Sequence, residues 1–251
     1  KVKSLSTIER EKQIIKKLKE YFKNVPLITI TQEKIERYLS LQNLSSGSYN
    51  RELAVIRFMF KKAVEWNYLV INPVLNIKRL RQQQKPVRYL TDEEINKILS
   101  VCNEEERDIF IFFLNTGLRL SEFYNLKWSD ISLEKDLITI QKTKSYKVRY
   151  IPISKELKEI LLKWKKQNRE KICLYSKEHI NKKIRIISRK AGVSGVSTHI
   201  LRHTFASRLV MKGVPIRVVQ ELLGHSDIRM TMIYSHLAPD YLEQVKKVLN
   251  S

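Results

Sequence analysis

The segment LITIQKTKSYKVRYIPI, residues 137–153, differs in pattern from the rest of the chain. Two mostly apolar stretches with the alternation of β-strands flank the polar sequence QKTKSYK. This pattern indicates an antiparallel β-hairpin, whereas the apolar residues elsewhere recur at helical spacing. The expected fold class is therefore mainly α with a small antiparallel β-hairpin or sheet.

Helical patterns lie on both sides of the hairpin. Thr91 and Glu94 have the spacing of a capping box, which predicts the start of a helix. A helix over about 105–115 is expected to end at Gly117. Further helices are expected over 154–168, 177–191, 199–212, 215–223 and 227–234, with a last short helix over 239–249.

The beginning of the chain predicts a separate helical domain. Apolar residues recur at helical spacing in three stretches, which are interrupted at Pro26 and at residues 45–47. Thr31 has the chemistry of an N-cap for the second helix, and Pro73 follows the third. We expect this helical domain to occupy residues 1–75.

Residues 76–88, NIKRLRQQQKPVR, predict a basic linker between two domains. The segment is rich in Gln and is broken by Pro86. It is either a solvated tether or a strap along a phosphate backbone, and the charge of the chain favours the strap. The second domain is then expected over 89–251.

The charge of the chain indicates an anionic partner. Lys and Arg total 48 against 26 acidic residues, a formal net charge of +22. No apolar run reaches the roughly 18 residues of a membrane-spanning helix, and the sequence opens without a signal-peptide pattern. Cys102 and Cys173 lie outside any CxxC pair, as expected for free, buried thiols of an intracellular protein. These features favour nucleic acid over a membrane.

Candidate catalytic residues are spread over separate segments of the second domain. Cutting a phosphodiester without a metal needs an in-line nucleophile, cations on the non-bridging oxygens and a proton donor for the leaving oxygen. Arg119 follows a helix-ending glycine, and His199 and Arg202 share one helix face at i and i+3. Tyr234 lies near the end of another helix. Each of these residues also has a simpler explanation. Arg119 could be an ordinary surface arginine, the pair His199 and Arg202 could cap a helix and form a salt bridge, and Tyr234 could be a packed amphipathic side chain.

Four sequence motifs together are more specific than any one residue. They are TGLRLSE at 116–122, KTKSYKVRYIPI at 142–153, HILRHTFAS at 199–207 and LLGHSDIRMTMIYSH at 222–236. Their order and spacing resemble the tyrosine recombinases, the family of phage integrases and Xer-type recombinases. Residues 48–73 resemble the core DNA-binding domain of that family. The resemblance implies a helical, SAM-like core DNA-binding domain over 1–75 and an α+β catalytic domain over 89–251.

The family's catalytic roles transfer to matching positions of this sequence. Arg119 and Arg202 match two phosphate-binding arginines, and Tyr234 matches the nucleophile. His199 matches a histidine that assists proton transfer, and His225 matches a position that bonds the scissile phosphate. The resemblance thus implies cleavage through a 3′-phosphotyrosyl intermediate, with no metal, ATP or other cofactor.

The general acid in this scheme is Lys144, which precedes Pro152 by eight positions. Lys142 and Lys147 also flank the hairpin turn, so the choice of Lys144 rests on this spacing. Glu122 fits the family's acidic position after the first arginine and is expected to orient its neighbours.

The other histidines receive structural interpretations. His203 is expected to be a packed or hydrogen-bonded helix residue, and His236 is also interpreted as structural. His199 and His203 stand at the i, i+4 spacing of metal ligands, but Ile200 occupies the place where a zincin needs Glu. We therefore expect no metal site.

The expected partner is a double-stranded DNA target site. The resemblance implies a homo-tetramer in the synaptic complex and a monomer or weak dimer when the protein is free, with the segment after Tyr234 docked on a neighbouring protomer. Candidate DNA-binding residues lie on the third helix and the linker: Asn50, Arg51, Arg57, Lys61, Lys78, Arg79, Arg81, Lys85 and Arg88.

Two other functions remain open at this point. The segment GVPIRVVQELLGHSDIRMTMIYSH has the helix, glycine and helix pattern of a helix-turn-helix reader, so a non-enzymatic DNA-binding regulator is one alternative. A type IB topoisomerase, which uses the same chemistry, is the other. The small helical first domain and the LLGHS motif favour the recombinase.

Overall fold

The computed structural model describes residues 3, 5–81, 86–141, 148–239 and 249–250. The chain divides into two compact units, Lys1–Lys85 and Pro86–Ser251. The described residues are mainly helical and contain a small antiparallel sheet, so the predicted fold class is confirmed. Among them, no helix combines the length and apolar character that crossing a bilayer requires.

The first unit is built from helices α1 (Leu5–Phe22), α2 (Gln32–Leu41) and α3 (Ser46–Glu65). Thr31 caps α2 as expected, because its side chain accepts a hydrogen bond from the backbone of Lys34. Ser45 caps α3 in the same way. One apolar face of each helix contributes to the core of this unit: Ile14, Leu18, Ile35, Tyr38, Leu39, Leu53, Ile56 and Phe60.

The second unit holds the remaining helices. They are α4 (Asp92–Ser100), α5 (Glu104–Thr116), α6 (Leu120–Asn125), α7 (Lys155–Lys166), α8 (Lys177–Lys190), α9 (Thr198–Met211), α10 (Ile216–Leu223) and α11 (Arg229–Met232). The predicted capping box of Thr91 and Glu94 is confirmed at the start of α4. Gly117 ends α5 in the left-handed conformation at φ 59°. A Cβ there would lie 2.3 Å from the ring of Phe205, so α9 can approach α5 closely only because residue 117 is glycine.

The predicted hairpin is confirmed and belongs to a three-stranded sheet. Strands β1 (Ile131–Ser132), β2 (Leu137–Gln141) and β3 (Val148–Pro152) pair antiparallel in the order β1-β2-β3. Ile138 faces Ile151 across the ladder, and Ile140 faces Arg149. Because alternate residues of a strand share a face, Arg149 lies on the same buried face as Ile151.

Two apolar clusters occupy the second unit. The larger is formed by α4, α5, the sheet, α7 and α8 and has the aromatic side chains of Phe112, Phe113 and Trp164 at its centre. The smaller joins α9, α10 and the segment after α11, and it contains Phe205, Ala206, Val210, Val219, Leu223 and Tyr234. Helix α9 therefore lies between two apolar cores, and its first turn carries the HILRH motif.

Some predicted elements differ from the structure. The helix predicted over 227–234 is shorter, because α11 ends at Met232 and a separate 3₁₀ turn follows at Ser235–Leu237. Neither α6 nor the two-residue strand β1 was predicted, since each is too short to give a periodic pattern. Of the helix predicted over 239–249, residues 240–248 lie outside the described residues.

Candidate active site

A cavity of about 240 Å³ opens where the first turns of α6 and α9 meet α8. Its walls are Arg119, Leu120, Ser121, Asn181, Thr198, His199 and Arg202. Arg119 is the N-cap of α6, while His199 and Arg202 lie in the first turns of α9. The cavity is therefore lined by two guanidinium groups and an imidazole from distant parts of the sequence.

The two cavity arginines converge on one backbone oxygen. The Arg202 guanidinium donates to the Leu223 carbonyl oxygen at 2.5 Å and to the Gly117 carbonyl oxygen at 2.7 Å. The Arg119 guanidinium donates to the same Leu223 oxygen at 3.4 Å. Leu223 is the last residue of α10, and its carbonyl is at the negative end of the helix dipole. The end of α10 thus aligns both arginines beside the cavity.

A third arginine joins this group through Glu122. The Glu122 carboxylate accepts hydrogen bonds from the Arg119 backbone N–H, from the Arg119 guanidinium and, in a bidentate arrangement, from the Arg149 guanidinium. Arg149 also donates from Nε to the Leu222 carbonyl oxygen at 2.8 Å. We call Arg119, Glu122, Arg149 and Arg202 the arginine clamp. It connects α6, β3, α9 and the end of α10.

The arginine clamp carries an excess of positive charge in a largely buried place. Burial alone would raise the pKa of Glu122, but the hydrogen bond from Arg149 and the charges of Arg149 and Arg119 hold it below its ordinary value. Burial and the charge of Arg119 lower the pKa of Arg202 to about 9, so Arg202 remains charged at neutral pH. Three guanidinium groups thus face one carboxylate, and the surplus suits a bound anion such as phosphate.

The histidines near the clamp are held in the neutral form. Burial, with the charges of Arg202 and Arg119, lowers the pKa of His199. Burial and the same two charges lower the pKa of His225 to about 4. The His225 imidazole Nδ1 lies 2.9 Å from the buried hydroxyl oxygen of Thr231, which fixes the ring orientation. At neutral pH each of these rings is uncharged and can donate one hydrogen bond and accept another without adding positive charge to the site.

Tyr234 is buried next to the clamp and is only 1 % exposed. Its phenolic oxygen lies 2.6 Å from Nδ1 of His203. Burial raises the pKa of Tyr234 to about 12, although the charge of Arg202 acts to lower it. Among the described residues, those that line the 240 Å³ cavity do not include Tyr234. The phenol therefore rests beside the cavity, in its protonated form.

The structure brings together most of the catalytic residues predicted from the sequence. Arg119, His199 and Arg202 share the cavity, and the pKa of His225 responds to the charges of both arginines. Tyr234 lies close enough to Arg202 for each charge to affect the other. Lys144, with its alternatives Lys142 and Lys147, lies outside the described residues.

The candidate DNA-binding residues of the first unit fall into two groups. The Asn50 side-chain amide exchanges hydrogen bonds with the Leu80 backbone at 2.7 and 2.8 Å, and the Arg57 guanidinium donates to the carbonyl oxygens of residues 74, 75 and 77. These bonds hold the segment after α3 against that helix. The other group is exposed: Arg51, Lys61, Lys78, Arg79 and Arg81.

The last two candidates lie near the junction of the predicted domains. Arg88 is exposed and forms a bidentate ion pair with Glu94, at 2.5 and 2.8 Å, next to the capping box of α4. Lys85 lies outside the described residues.

Sequence reasoning did not single out Arg149 or Thr231 and gave His203 only a structural interpretation. Arg149 could have been noticed because it alternates with Ile151 on the inward face of a predicted strand, where an arginine needs a buried partner. Thr231 and His203 gave no comparable signal. Their importance depends on the proximity of α9, α10 and α11, which periodicity does not show.

The fold is that of the tyrosine-type recombinases and integrases. The chain belongs to the phage integrase family. The model of the "Phage integrase family" matches residues 88–240, and that of the "Phage integrase SAM-like domain" matches residues 1–79.

Individual relatives agree with this assignment. The integrase of Escherichia phage 186 is 36% identical over 218 residues, which cover 83% of this chain and 62% of the phage protein. The chain thus spans less than two thirds of that relative. A tyrosine recombinase of Thermosipho africanus (strain TCF52B) is 29% identical, with 98% of this chain and 94% of the relative covered.

The fold also matches solved structures. A structure of the XerH site-specific recombinase bound to a palindromic difH substrate, in a post-cleavage complex, superposes with a TM-score of 0.81. The match covers 99% of this chain and 81% of XerH at 22% identity. At this identity the likeness shows the arrangement of the fold.

Proposed function

We propose that this protein is a site-specific DNA recombinase in which Tyr234 cuts and rejoins DNA through a 3′-phosphotyrosyl intermediate, without metal or ATP. The observation that carries the proposal is the meeting of Arg119 and Arg202 at the Leu223 carbonyl oxygen, beside a cavity and close to the buried phenol. A non-enzymatic DNA-binding protein has no need for this surplus of buried positive charge next to a tyrosine.

The chemistry follows from the groups present. Arg119 and Arg202 hold the non-bridging oxygens of the scissile phosphate and stabilise the charge that develops in the transition state. The Tyr234 oxygen attacks phosphorus and displaces the 5′-oxygen, which takes a proton from Lys144 with assistance from His199. His225 hydrogen-bonds the phosphate. The guanidinium groups supply the positive charge that a metal ion supplies in other nucleases.

The reaction needs no ATP, because each phosphodiester bond that is broken is replaced by another phosphodiester bond. The 3′-phosphotyrosyl bond is attacked by the 5′-hydroxyl of a partner duplex, and the phenol is released. Since Tyr234 rests outside the cavity lining, the segment of residues 229–237 has to shift when DNA binds. We define this segment as the tyrosine segment.

The proposed partner is double-stranded DNA in the cytoplasm. The net charge of +22 and the exposed basic residues of α3 and the following segment favour binding to a phosphate backbone. XerH, whose fold is similar, is bound to its DNA substrate in the solved complex. We propose further that four protomers assemble on two duplexes and that residues 238–251 dock on a neighbouring protomer.

A suicide-substrate experiment tests the proposal. The probe is a pool of short duplexes with a random central window and a nick within it, so that the short fragment released by cleavage diffuses away and religation fails. Covalent adducts are recovered under denaturing conditions and sequenced, which yields the target site. We expect adducts with the wild type and with Tyr124→Phe, a control in the same unit, and none with Tyr234→Phe. Adduct formation by Tyr234→Phe would contradict the proposal.

A further inference from the structure

His203 follows Arg202 on α9 and makes direct contact with the reacting atom of the proposed mechanism. Its Nδ1 lies 2.6 Å from the phenolic oxygen of Tyr234, and the two ring centroids are 5.8 Å apart. The arginine motif and the nucleophile are thus joined by a hydrogen bond between residues that are 31 positions apart. No role is assigned to this histidine by the sequence motifs.

We propose that His203 is a catalytic residue that receives the phenolic proton of Tyr234 during DNA cleavage and returns it during rejoining. This inference rests on the proposed recombinase function and adds a base to it. Of the proposed catalytic residues that the structure describes, Arg119, His199, Arg202 and His225 make no hydrogen bond to the phenolic oxygen, whereas His203 does.

The phenol needs such a partner because it is protonated and shielded from water. With its pKa raised to about 12 by burial, only about one molecule in 100,000 carries a phenolate at pH 7. The ring is 1 % exposed, so bulk water is a poor proton acceptor for it. His203 is the group that hydrogen-bonds the phenolic oxygen among the described residues.

The surroundings of His203 keep it able to accept a proton. Burial, followed by the influence of His199 and the charge of Arg202, lowers the pKa of His203. His199 and Arg202 lie on its own helix, Tyr234 faces it from the tyrosine segment, and His225 is near enough for its own pKa to respond to His203. At neutral pH His203 is therefore uncharged. The proposed step uses the tautomer that carries the ring proton on Nε2, in which Nδ1 accepts the hydrogen bond of the phenol.

The proposed step balances in atoms and charge. The Tyr234 O–H bond breaks and its proton moves to Nδ1 of His203, which becomes an imidazolium. This step requires the two side chains to stay hydrogen-bonded while the tyrosine segment shifts toward the phosphate. The phenolic oxygen forms a bond to phosphorus, the bond from phosphorus to the 5′-oxygen breaks, and that oxygen takes its proton from the general acid. On rejoining, the 5′-oxygen attacks phosphorus and the departing phenolate recovers its proton from His203.

A purely structural role makes a different prediction. Suppose that His203 only restrains the phenol in its buried position. A substitution that keeps the hydrogen bond but cannot accept a proton should then preserve activity, and a substitution that removes the hydrogen bond should accelerate cleavage. His203→Asn is the first kind of change, because its side chain reaches the position of Nδ1 but cannot become a cation. His203→Ala is the second.

The test measures single-turnover adduct formation on the nicked duplex recovered from the random pool. We expect His203→Asn and His203→Ala to cleave about 100-fold more slowly than the wild type at pH 7, the effect of losing a general base. The rates of both variants should rise with pH between 7 and 9, as the phenolate fraction increases, while the wild-type rate stays nearly flat. His179→Asn, at an exposed histidine of α8 outside the arginine clamp and the tyrosine segment, is the matched control and should match the wild type.

Chemical rescue provides a second measurement. Imidazole added to His203→Ala should restore part of the rate, whereas the isosteric but weakly basic pyrazole should not. Duplex binding and thermal unfolding of each variant establish that it is folded. If His203→Asn fails to fold, His203→Gln with the same pH profile takes its place.

The outcomes separate this inference from the proposed function. A wild type that forms no adduct with any duplex in the pool contradicts the recombinase proposal itself. A wild type that forms adducts, together with a His203→Asn protein of equal or greater rate and unchanged pH dependence, overturns only the role of His203. Equal rescue by imidazole and pyrazole also overturns it.

Discussion

The arginine clamp and the tyrosine segment lie side by side in the second unit but are held in different ways. The clamp is fixed by hydrogen bonds between groups far apart in sequence, including the 85 positions between Arg202 and Gly117. In the tyrosine segment the backbone bonds are local, such as those from Tyr234 to Thr231 and from Leu237 to Tyr234. Its long-range polar contact is the bond between Tyr234 and His203.

This difference indicates that the phosphate-binding arginines are already held in position before DNA binds. The nucleophile, in contrast, is buried away from the cavity lining. Buried guanidinium groups need fixed partners, and the carbonyl oxygens of Gly117, Leu222 and Leu223 supply them. A phenol is neutral and tolerates burial in an apolar cluster with one hydrogen bond. Arginines that are already in position lower the activation free energy of the reaction. A short segment with only local backbone hydrogen bonds can move and bring the phenol to the phosphate.

The largest effect should come from breaking the clamp at Arg202. Arg202→Lys keeps the charge but cannot donate to Gly117 and Leu223 together while also holding a phosphate. We expect adduct formation on a nicked target duplex to slow by about 100- to 1,000-fold. Arg208→Lys, at a partly exposed position of the same helix that lies outside the clamp, should cleave at the wild-type rate. Similar rates for Arg202→Lys and Arg208→Lys would contradict this account of the clamp.

The next effect concerns the carboxylate within the clamp. Glu122→Gln leaves Arg119 and Arg149 without a charge partner, and we expect the free energy of unfolding to fall by about 3 kcal/mol at pH 7. The folded-state pKa of Glu122 is depressed, so its contribution is present above the unfolded pKa and is lost as the pH falls through the folded value.

Denaturant titrations of the wild type and Glu122→Gln check both parts of this prediction. The difference between the two proteins should begin to shrink as the pH falls below the ordinary glutamate pKa of about 4.3. It should disappear only below the depressed folded-state pKa, where Glu122 is protonated in the folded wild type as well. Glu159→Gln, at an exposed position on α7, serves as the control and should change stability little. A difference that persists at low pH would exclude the charge of Glu122 as its cause.

A smaller effect is expected at the glycine between the clamp and the tyrosine segment. Gly224 has φ +64°, and a Cβ there would lie 2.9 Å from the Arg149 guanidinium. Gly192 has φ +74° and open space around it. Both alanine variants should lose about 1 kcal/mol of stability from the left-handed backbone. Only Gly224→Ala should also slow cleavage, because it displaces Arg149. Equal cleavage rates of the two variants would argue against a dependence of cleavage on the position of Arg149.

The smallest effect should arise within the tyrosine segment. Thr231→Val preserves side-chain shape but removes the hydroxyl partner of His225. We expect a loss of about 1 kcal/mol in stability, the usual net value of one hydrogen bond. Cleavage should slow by severalfold because the His225 ring loses its fixed orientation. Thermal unfolding and single-turnover cleavage measure the two effects, and an unchanged cleavage rate would show that His225 needs no such support.

The comparison also shows which parts of the molecule the sequence can predict. Alternating apolar residues indicated the hairpin, and the capping box of Thr91 and Glu94 indicated a helix start, because both patterns depend on neighbouring residues. The motifs containing Arg119, His199, Arg202, His225 and Tyr234 were visible as a resemblance. Their spatial convergence became evident only with the fold.

Other features depend on packing that no local pattern reports. Arg149 resembles any basic residue of the hairpin until its pairing with Glu122, 27 positions away, is known. Asn50 and Arg57 were grouped with exposed basic residues, yet their side chains bond the backbone that follows α3. The contact between His203 and Tyr234 depends on how the tyrosine segment packs against α9.

The most direct test of the central claim is to locate the covalent bond in the trapped adduct. Protease digestion followed by mass spectrometry of the nucleotide-linked peptide identifies the attached residue. We predict a single phosphodiester between the 3′ end of the cleaved strand and the phenolic oxygen of Tyr234. Attachment to any other residue, or through a 5′-phosphate, would contradict the account.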